Sequence, residues 1–146
     1  MKHAAVLFSG LLSLLCLGPE ATARPHLTDD EALERALAGE SALQGKALKQ
    51  AISEAEAFPL GHAKNPVRVS QPTGERSYLA QLRCSDGEAP AYERRGSTGL
   101  SPFGNVMDIY LIRCPTGTPQ SSDVYMDMYH KGFAETRPVP GFTITP

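Results

Sequence analysis

The sequence lacks the features that point most directly to a nucleic-acid partner or to a catalysed reaction. Basic and acidic residues nearly balance, for a formal net charge of −2, and no run of basic residues occurs. Because nucleic-acid binding requires a clustered cationic face, we expect no nucleic-acid partner. The catalytic patterns G-x-S-x-G, H-E-x-x-H and C-x-x-C are also absent. We therefore assign no catalytic residue and no cofactor, and we expect a non-enzymatic protein.

Long apolar runs are absent as well. The run over residues 4–17 is shorter than the roughly 17 to 25 residues that a membrane-spanning helix needs. It follows two basic residues and precedes a glycine, a proline and an A-x-A pattern that ends at Ala23, which is typical of a secretory signal peptide. We predict that residues 1–23 are removed, so that the chain meets the membrane only transiently. Lipid attachment at Cys16 is the less favoured alternative, because Leu15 stands where lipoprotein processing prefers a small residue.

Cysteine is scarce, with three in the whole chain. Cys16 belongs to the predicted signal peptide, so the mature protein keeps Cys84 and Cys114. Exported proteins meet oxidising conditions, and we therefore predict a disulfide between these two residues and a periplasmic or secreted location. A free catalytic thiol is the alternative, and it would need a neighbouring base.

The first part of the mature chain, residues 24–60, shows helix signals. Thr28 and Glu31 have the spacing of a capping box, which predicts a helix over residues 30–38. Leucine, isoleucine and alanine then recur at helical spacing, which predicts a second helix over residues 41–57.

From residue 61 to residue 146, short segments rich in valine, isoleucine and tyrosine alternate with proline and glycine, which is typical of strands. The predicted strands are residues 67–70, 76–84, 91–96, 106–114 and 124–130, with an edge strand at 142–145. Residues 76–84 also fit a helical face. We predict an α+β domain in which N-terminal helices precede and pack with a mainly antiparallel, disulfide-stapled sheet of about five short strands.

The predicted disulfide also indicates which side chains face the core. Side chains alternate along a strand, and the Cα atoms of a disulfide lie within about 7 Å, so the faces that carry the two cysteines must meet. This places Tyr78, Leu82, Tyr110 and Ile112 around the disulfide. Asp108 shares the inward face, and because buried carboxylates are usually paired, we expect an arginine beside it.

Met126, Met128 and His130 alternate along the predicted last strand. Two thioethers and an imidazole on one strand face would suit Cu(I) or Ag(I). We favour the alternative that the methionines are core residues and that His130 caps the strand, because methionine commonly fills irregular cores.

Tyr125, Asp127 and Tyr129 would occupy the opposite face of that strand. They could form a contact surface for a glycan or a partner protein, although a solvated sheet face is the interpretation we favour. The glycine-containing stretch at residues 96–105 is long enough to be a binding loop, and we favour a flexible connection there.

The segments NPVRVSQPTGERSYLAQLRC, DGEAPAYERRGSTGLSPFGNVMDIYLIRC and VYMDMYH resemble a group of small exported bacterial proteins of unknown function. The resemblance covers residues 61–142 and implies one exported domain with paired cysteines, but no activity and no cofactor. We predict an exported envelope protein that acts as a non-enzymatic binding or accessory module, with another envelope protein as its partner. The alternatives are a periplasmic Cu(I)- or Ag(I)-binding protein and an inhibitor or immunity-type protein that blocks an envelope hydrolase through an exposed loop such as 96–105.

Overall fold

The computed structural model describes residues 28–145, so the predicted signal peptide and Cys16 lie outside the described range. The helices are α1 (Asp29–Leu37), α2 (Gly45–Ala55) and α3 (Gln71–Gln81). The strands are β1 (Val67–Ser70), β2 (Leu82–Arg83), β3 (Ala91–Leu100), β4 (Val106–Arg113), β5 (Ser121–Asp127), β6 (Tyr129–Ala134) and β7 (Thr143–Ile144). Within residues 28–145, no helix has the length and apolar character needed to cross a membrane.

The first two helices form close to where the sequence predicts them. The capping box at Thr28 is present, with the Glu31 side chain bonded back to the Thr28 backbone. Helix α2 begins four residues later than the predicted start at residue 41. The residues before it are hydrogen-bonded to the turn between β3 and β4 and so do not join the helix. The Ala42 N–H donates to Asn105 Oδ1 at 2.8 Å, and the Leu43 N–H donates to the Phe103 carbonyl at 3.3 Å. These bonds hold the α1–α2 linker against the β3–β4 turn.

The sheet is mixed, which corrects the prediction of a mainly antiparallel sheet. Its five strands run in the order β3-β4-β5-β1-β6, and β1 pairs in parallel with β5. Only Met128 separates β5 from β6, so the chain arches over the end of β1 and returns along its other edge. The Gln71 N–H donates to the Met128 carbonyl at 2.8 Å at this crossing. The predicted strand 124–130 is therefore divided between two strands on either side of β1.

The predicted strand 76–84 is wrong for most of its length, because residues 71–81 form α3. Helical spacing brings Glu75, Tyr78 and Leu79 onto the buried face of this helix, which packs on the sheet. Only Leu82–Arg83 is extended, and it pairs with β7 in a separate two-stranded sheet. The predicted edge strand at the C-terminus is confirmed in part as β7.

The disulfide and the core around it are confirmed. Cys84 and Cys114 are bonded, with Cα atoms 5.9 Å apart. The core cluster contains both cysteines together with Tyr78, Leu82, Tyr110 and Ile112. Helix α3 packs on the sheet at this core. The prediction was that the N-terminal helices would pack with the sheet, and it did not include a covering helix at residues 71–81.

Residues 96–105 do not form a flexible loop. Strand β3 continues to Leu100, and a tight turn with Ser101, Phe103 and Asn105 buried leads into β4. Inside this turn, the Ser101 N–H donates to the Asn105 carbonyl at 2.7 Å. A strand end and a buried turn therefore stand where we favoured a flexible connection and where the alternative was an exposed binding loop.

Candidate functional site

Asp127 lies at the end of β5 with no exposed surface and forms the centre of a buried polar cluster. The Ser101 hydroxyl donates to its Oδ2 at 2.6 Å, and the Asn105 amide nitrogen lies 2.9 and 3.1 Å from its two oxygens. The Tyr129 N–H donates to Oδ1 at 3.0 Å. Charge-assisted hydrogen bonds of this kind are what permit a carboxylate to be buried.

The β3–β4 turn is organised by the same side chains. Ser101 Oγ accepts hydrogen bonds from the N–H groups of Phe103 and Asn105, at 3.0 and 3.3 Å. The Asn105 amide also donates to Ser41 Oγ at 3.2 Å. The cluster thus connects the α1–α2 linker, the turn and the end of β5.

His130, at the start of β6, is the basic member of this cluster. Its Nε2 lies 3.4 Å from Asp127 Oδ2, in an alignment that makes no directed hydrogen bond. The ring packs edge-on against Phe103, with centroids 5.0 Å apart. Burial alone would raise the pKa of Asp127, but His130 and the hydrogen bonds from Ser101 and Asn105 outweigh burial and hold that pKa below its ordinary value. Asp127 is therefore a carboxylate at neutral pH.

Arg68 lies beside this cluster, directly opposite Asp127 in the register of β1 and β5. Its guanidinium lies 4.5 Å from the ring centre of Phe133 and 5.9 Å from that of Phe103. The side chain is half-buried, and burial lowers the pKa of Arg68 even though Glu135 and Glu56 are near. The guanidinium makes no hydrogen bond or ion pair with any residue in the described part of the chain.

A cleft of about 450 Å³ opens between α2 and β6, above Arg68 and His130. Its apolar wall consists of Leu48 and Ile52 from α2 and Phe133 from β6. At its rim, Lys131 Nζ lies 3.2 Å from Glu40 Oε1. The remaining lining residues are Ser41, Gln44 and Tyr129. The size is within the range of small-molecule sites, roughly 300 to 1,000 Å³.

The hydrogen-bond directions within the cluster differ from those of a serine triad. In a serine triad the hydroxyl proton passes to histidine, whose other nitrogen bonds to the carboxylate. Here the Ser101 hydroxyl donates to Asp127, and the Ser41 hydroxyl donates to the Phe103 carbonyl at 3.4 Å. The arrangement supplies a fixed imidazole and a fixed guanidinium, both facing the cleft.

The three residues of the predicted metal site lie in different surroundings. Met126 is fully buried in the hydrophobic core, as we expected of a core residue, and Met128 packs against that core. His130 belongs instead to the polar cluster on the far side of the crossing. Among residues 28–145, no group of three or more histidine, cysteine, aspartate or glutamate side chains could hold a metal ion. Methionine is not one of these four residue types, so a Cu(I) or Ag(I) site at Met126, Met128 and His130 stays a prediction.

The possible contact surface of Tyr125, Asp127 and Tyr129 does not form with all three residues exposed. Asp127 is buried and so does not share an exposed face with Tyr125, while Tyr125 and Tyr129 are each partly exposed. Tyr129 lines the cleft. Sequence reasoning missed Ser101 and Asn105 as parts of a site. The available signal was the S-P-F-G-N sequence, in which serine, proline, glycine and asparagine favour a structured turn.

Two further buried carboxyl groups, those of Asp108 and Glu75, lie on the opposite face of the sheet from Asp127. Asp108 is confirmed as a buried, arginine-paired carboxylate, with Arg94 as its partner at 2.6 and 2.7 Å. Glu75 on α3 accepts a hydrogen bond from the Tyr110 hydroxyl at 3.0 Å, and its other oxygen is buried without a partner. Burial, reinforced by the charge of Asp108, raises the pKa of Glu75 to about 7.

Comparison with protein-family models, with curated proteins and with solved structures finds no match for this chain. The geometry and chemistry of the cleft therefore carry the functional proposal.

Proposed function

We propose that the protein is an exported envelope protein that acts as a non-enzymatic binding module, with the cleft between α2 and β6 as its ligand site. The export part of the proposal is supported by the signal-peptide pattern of residues 1–23. The Cys84–Cys114 disulfide is consistent with it, since disulfides persist in oxidising compartments.

The observation that supports ligand binding in the cleft is that the half-buried guanidinium of Arg68 has no hydrogen-bond or ion-pair partner in the described part of the chain. Burial disfavours the charge of the Arg68 guanidinium, and no residue in the described part of the chain bonds to this group. The same group gains charge-assisted hydrogen bonds when a ligand occupies the cleft. Such an arrangement is common at binding sites, where unpaired polar groups converge on an otherwise apolar pocket.

The experiment is a nuclear magnetic resonance screen of the ¹⁵N-labelled mature protein against a fragment library of anionic, neutral and cationic compounds. We expect fragments to shift the amide signals of residues 129–133 together with those of α2, since both line the cleft. Ile52→Trp should abolish these shifts by filling the cleft. Gln50→Trp is the matched control, because position 50 lies on the other side of the same helix.

Two results would overturn the proposal. In the first, no fragment shifts the cleft amides of the folded wild type. In the second, the shifts persist unchanged in Ile52→Trp, which would place the binding elsewhere on the protein.

A further inference from the structure

We infer that the ligand of the cleft is a monocarboxylate with an apolar chain, whose carboxylate is bound by the guanidinium of Arg68. This inference rests on the proposed function and names the class of ligand. It follows from three properties of the cleft. Arg68 has no carboxylate in contact among the described residues, its guanidinium packs against aromatic rings, and an apolar wall lies beside it.

The other charges around the cleft are compensated by neighbours. Lys131, at the rim of the cleft, pairs with Glu40 at 3.2 Å. Arg137 is bound by Glu56 and Glu135, each at 2.9 Å. Of the two residues with permanently charged side chains that line the cleft as cations, Arg68 and Lys131, Arg68 is the one that has no carboxylate in contact among the described residues.

The guanidinium is held in place by packing against aromatic rings. Phe133 lies on one side at 4.5 Å, and Phe103 lies farther away at 5.9 Å. Contact with a ring face fixes the plane of the guanidinium while leaving its N–H groups able to donate. Phe103 is itself fixed, with no exposed surface, by packing in the turn and against His130. This geometry suits the parallel, two-bond recognition of a carboxylate.

The charge of the ligand follows from the number of available cations. A phosphate monoester carries about −1.5 to −2 charge at neutral pH. Lys131 is already paired with Glu40, so Arg68 is the one cation lining the cleft that is open to a direct ion pair, and a single cation matches a carboxylate better than a phosphate. Leu48, Ile52 and Phe133 then provide an apolar wall for a hydrocarbon or aromatic chain.

The test uses four compounds that share an eight-carbon chain: octanoate, 1-octanol, octylamine and octyl phosphate. Each is titrated against the mature protein, with affinity measured by calorimetry and location by the amide shifts of residues 129–133. We expect octanoate to bind at the cleft at least tenfold more tightly than the other three. Arg68→Met should reduce octanoate affinity at least tenfold, while Arg95→Met, which removes the same charge from exposed β3, should leave the affinity unchanged.

The outcomes separate this inference from the proposed function. Equal binding of octanol and octanoate at the cleft, or unchanged octanoate affinity in Arg68→Met, would overturn the ligand class and leave cleft binding intact. Tighter binding of octyl phosphate would overturn the choice of carboxylate over phosphate. If none of the four compounds shifts the cleft amides, the inference fails, and the fragment screen decides separately whether the cleft binds any ligand.

Discussion

The Ser101 hydroxyl lies 2.6 Å from Asp127 Oδ2, and this bond joins the β3–β4 turn to the end of β5 across 26 residues of sequence. The turn cannot move away from β5 without leaving a buried carboxylate short of a donor. The bond therefore helps to fix Phe103, whose ring packs against His130 in the lining of the cleft. The floor of the cleft is positioned before any ligand enters.

Replacing Ser101 with alanine should destabilise the protein by about 2 to 3 kcal/mol. The substitution removes a donor to a buried charge and the acceptor for two N–H groups of the turn, and a hydrogen bond to a charged group contributes roughly 1.5 to 3 kcal/mol. Urea denaturation measures the effect. Ser121→Ala, at an exposed position at the start of β5, is the matched control and should change the free energy of unfolding by less than about 0.5 kcal/mol. Equal effects of the two substitutions would show that the bond to Asp127 contributes nothing.

Glu75 should make the stability depend on pH between about 4.5 and 7. Its pKa is raised from an ordinary value of 4.5 to about 7 in the folded protein. Across this interval the unfolded chain releases the proton while the folded chain keeps it, so stability falls as pH rises and levels off above 7. Glu75→Gln removes this penalty and keeps an acceptor for the Tyr110 hydroxyl.

The expected result is a variant equal to the wild type at pH 4 and more stable than it at pH 8. The difference at pH 8 should approach roughly 3 kcal/mol, the equivalent of the pKa shift. Chemical denaturation at several pH values measures it. Glu88→Gln, on an exposed turn, provides the control for loss of a surface charge. A constant difference between Glu75→Gln and wild type at all pH values would contradict a raised pKa.

The sequence predicts the parts of the fold that depend on local signals or on covalent pairing. The capping box at Thr28 acts within one turn of helix, and the disulfide follows from compartment and cysteine count. Residues 71–84 instead contain apolar residues at both strand spacing and helical spacing, so local pattern alone does not predict that α3 forms there. Tyr78 and Leu82 fit one face of a strand, and together with Leu79 they also fit one face of a helix. Packing against β1 and β6 decides for the helix.

The candidate site was harder to predict because its residues are distant in sequence. Asp127 and His130 were noted as parts of one strand, yet the crossing at Met128 turns them toward Ser101 and Asn105. Arg68 reaches the same place only because β1 inserts between β5 and β6. A parallel insertion of this kind leaves no local pattern, so residue spacing alone could not place Arg68 near Asp127.

Breaking the disulfide should cost about 3 to 4 kcal/mol. The bond joins residues 30 positions apart, and closing a loop of that length restricts the unfolded chain by this amount in the chain-entropy model. Both cysteines are buried in the core, so a double alanine variant also loses their packing. Denaturation with and without reductant measures the effect. Uptake of two equivalents of alkylating reagent by the native, unreduced protein would contradict the bond.

Arg68 and Arg94 should respond in opposite ways to the same substitution. Arg94 makes two bonds to buried Asp108, so Arg94→Met leaves that carboxylate without its cation and should destabilise the protein by about 1 to 3 kcal/mol. Arg68 has no such partner in the described residues, and its burial disfavours the charge. Arg68→Met should therefore leave the free energy of unfolding unchanged or raise it by up to about 1 kcal/mol. Residues kept for binding at the expense of stability show this behaviour. Denaturation of both variants in ligand-free buffer measures the contrast, and a loss of 2 kcal/mol or more in Arg68→Met would mean that Arg68 is retained for the fold and not for a ligand.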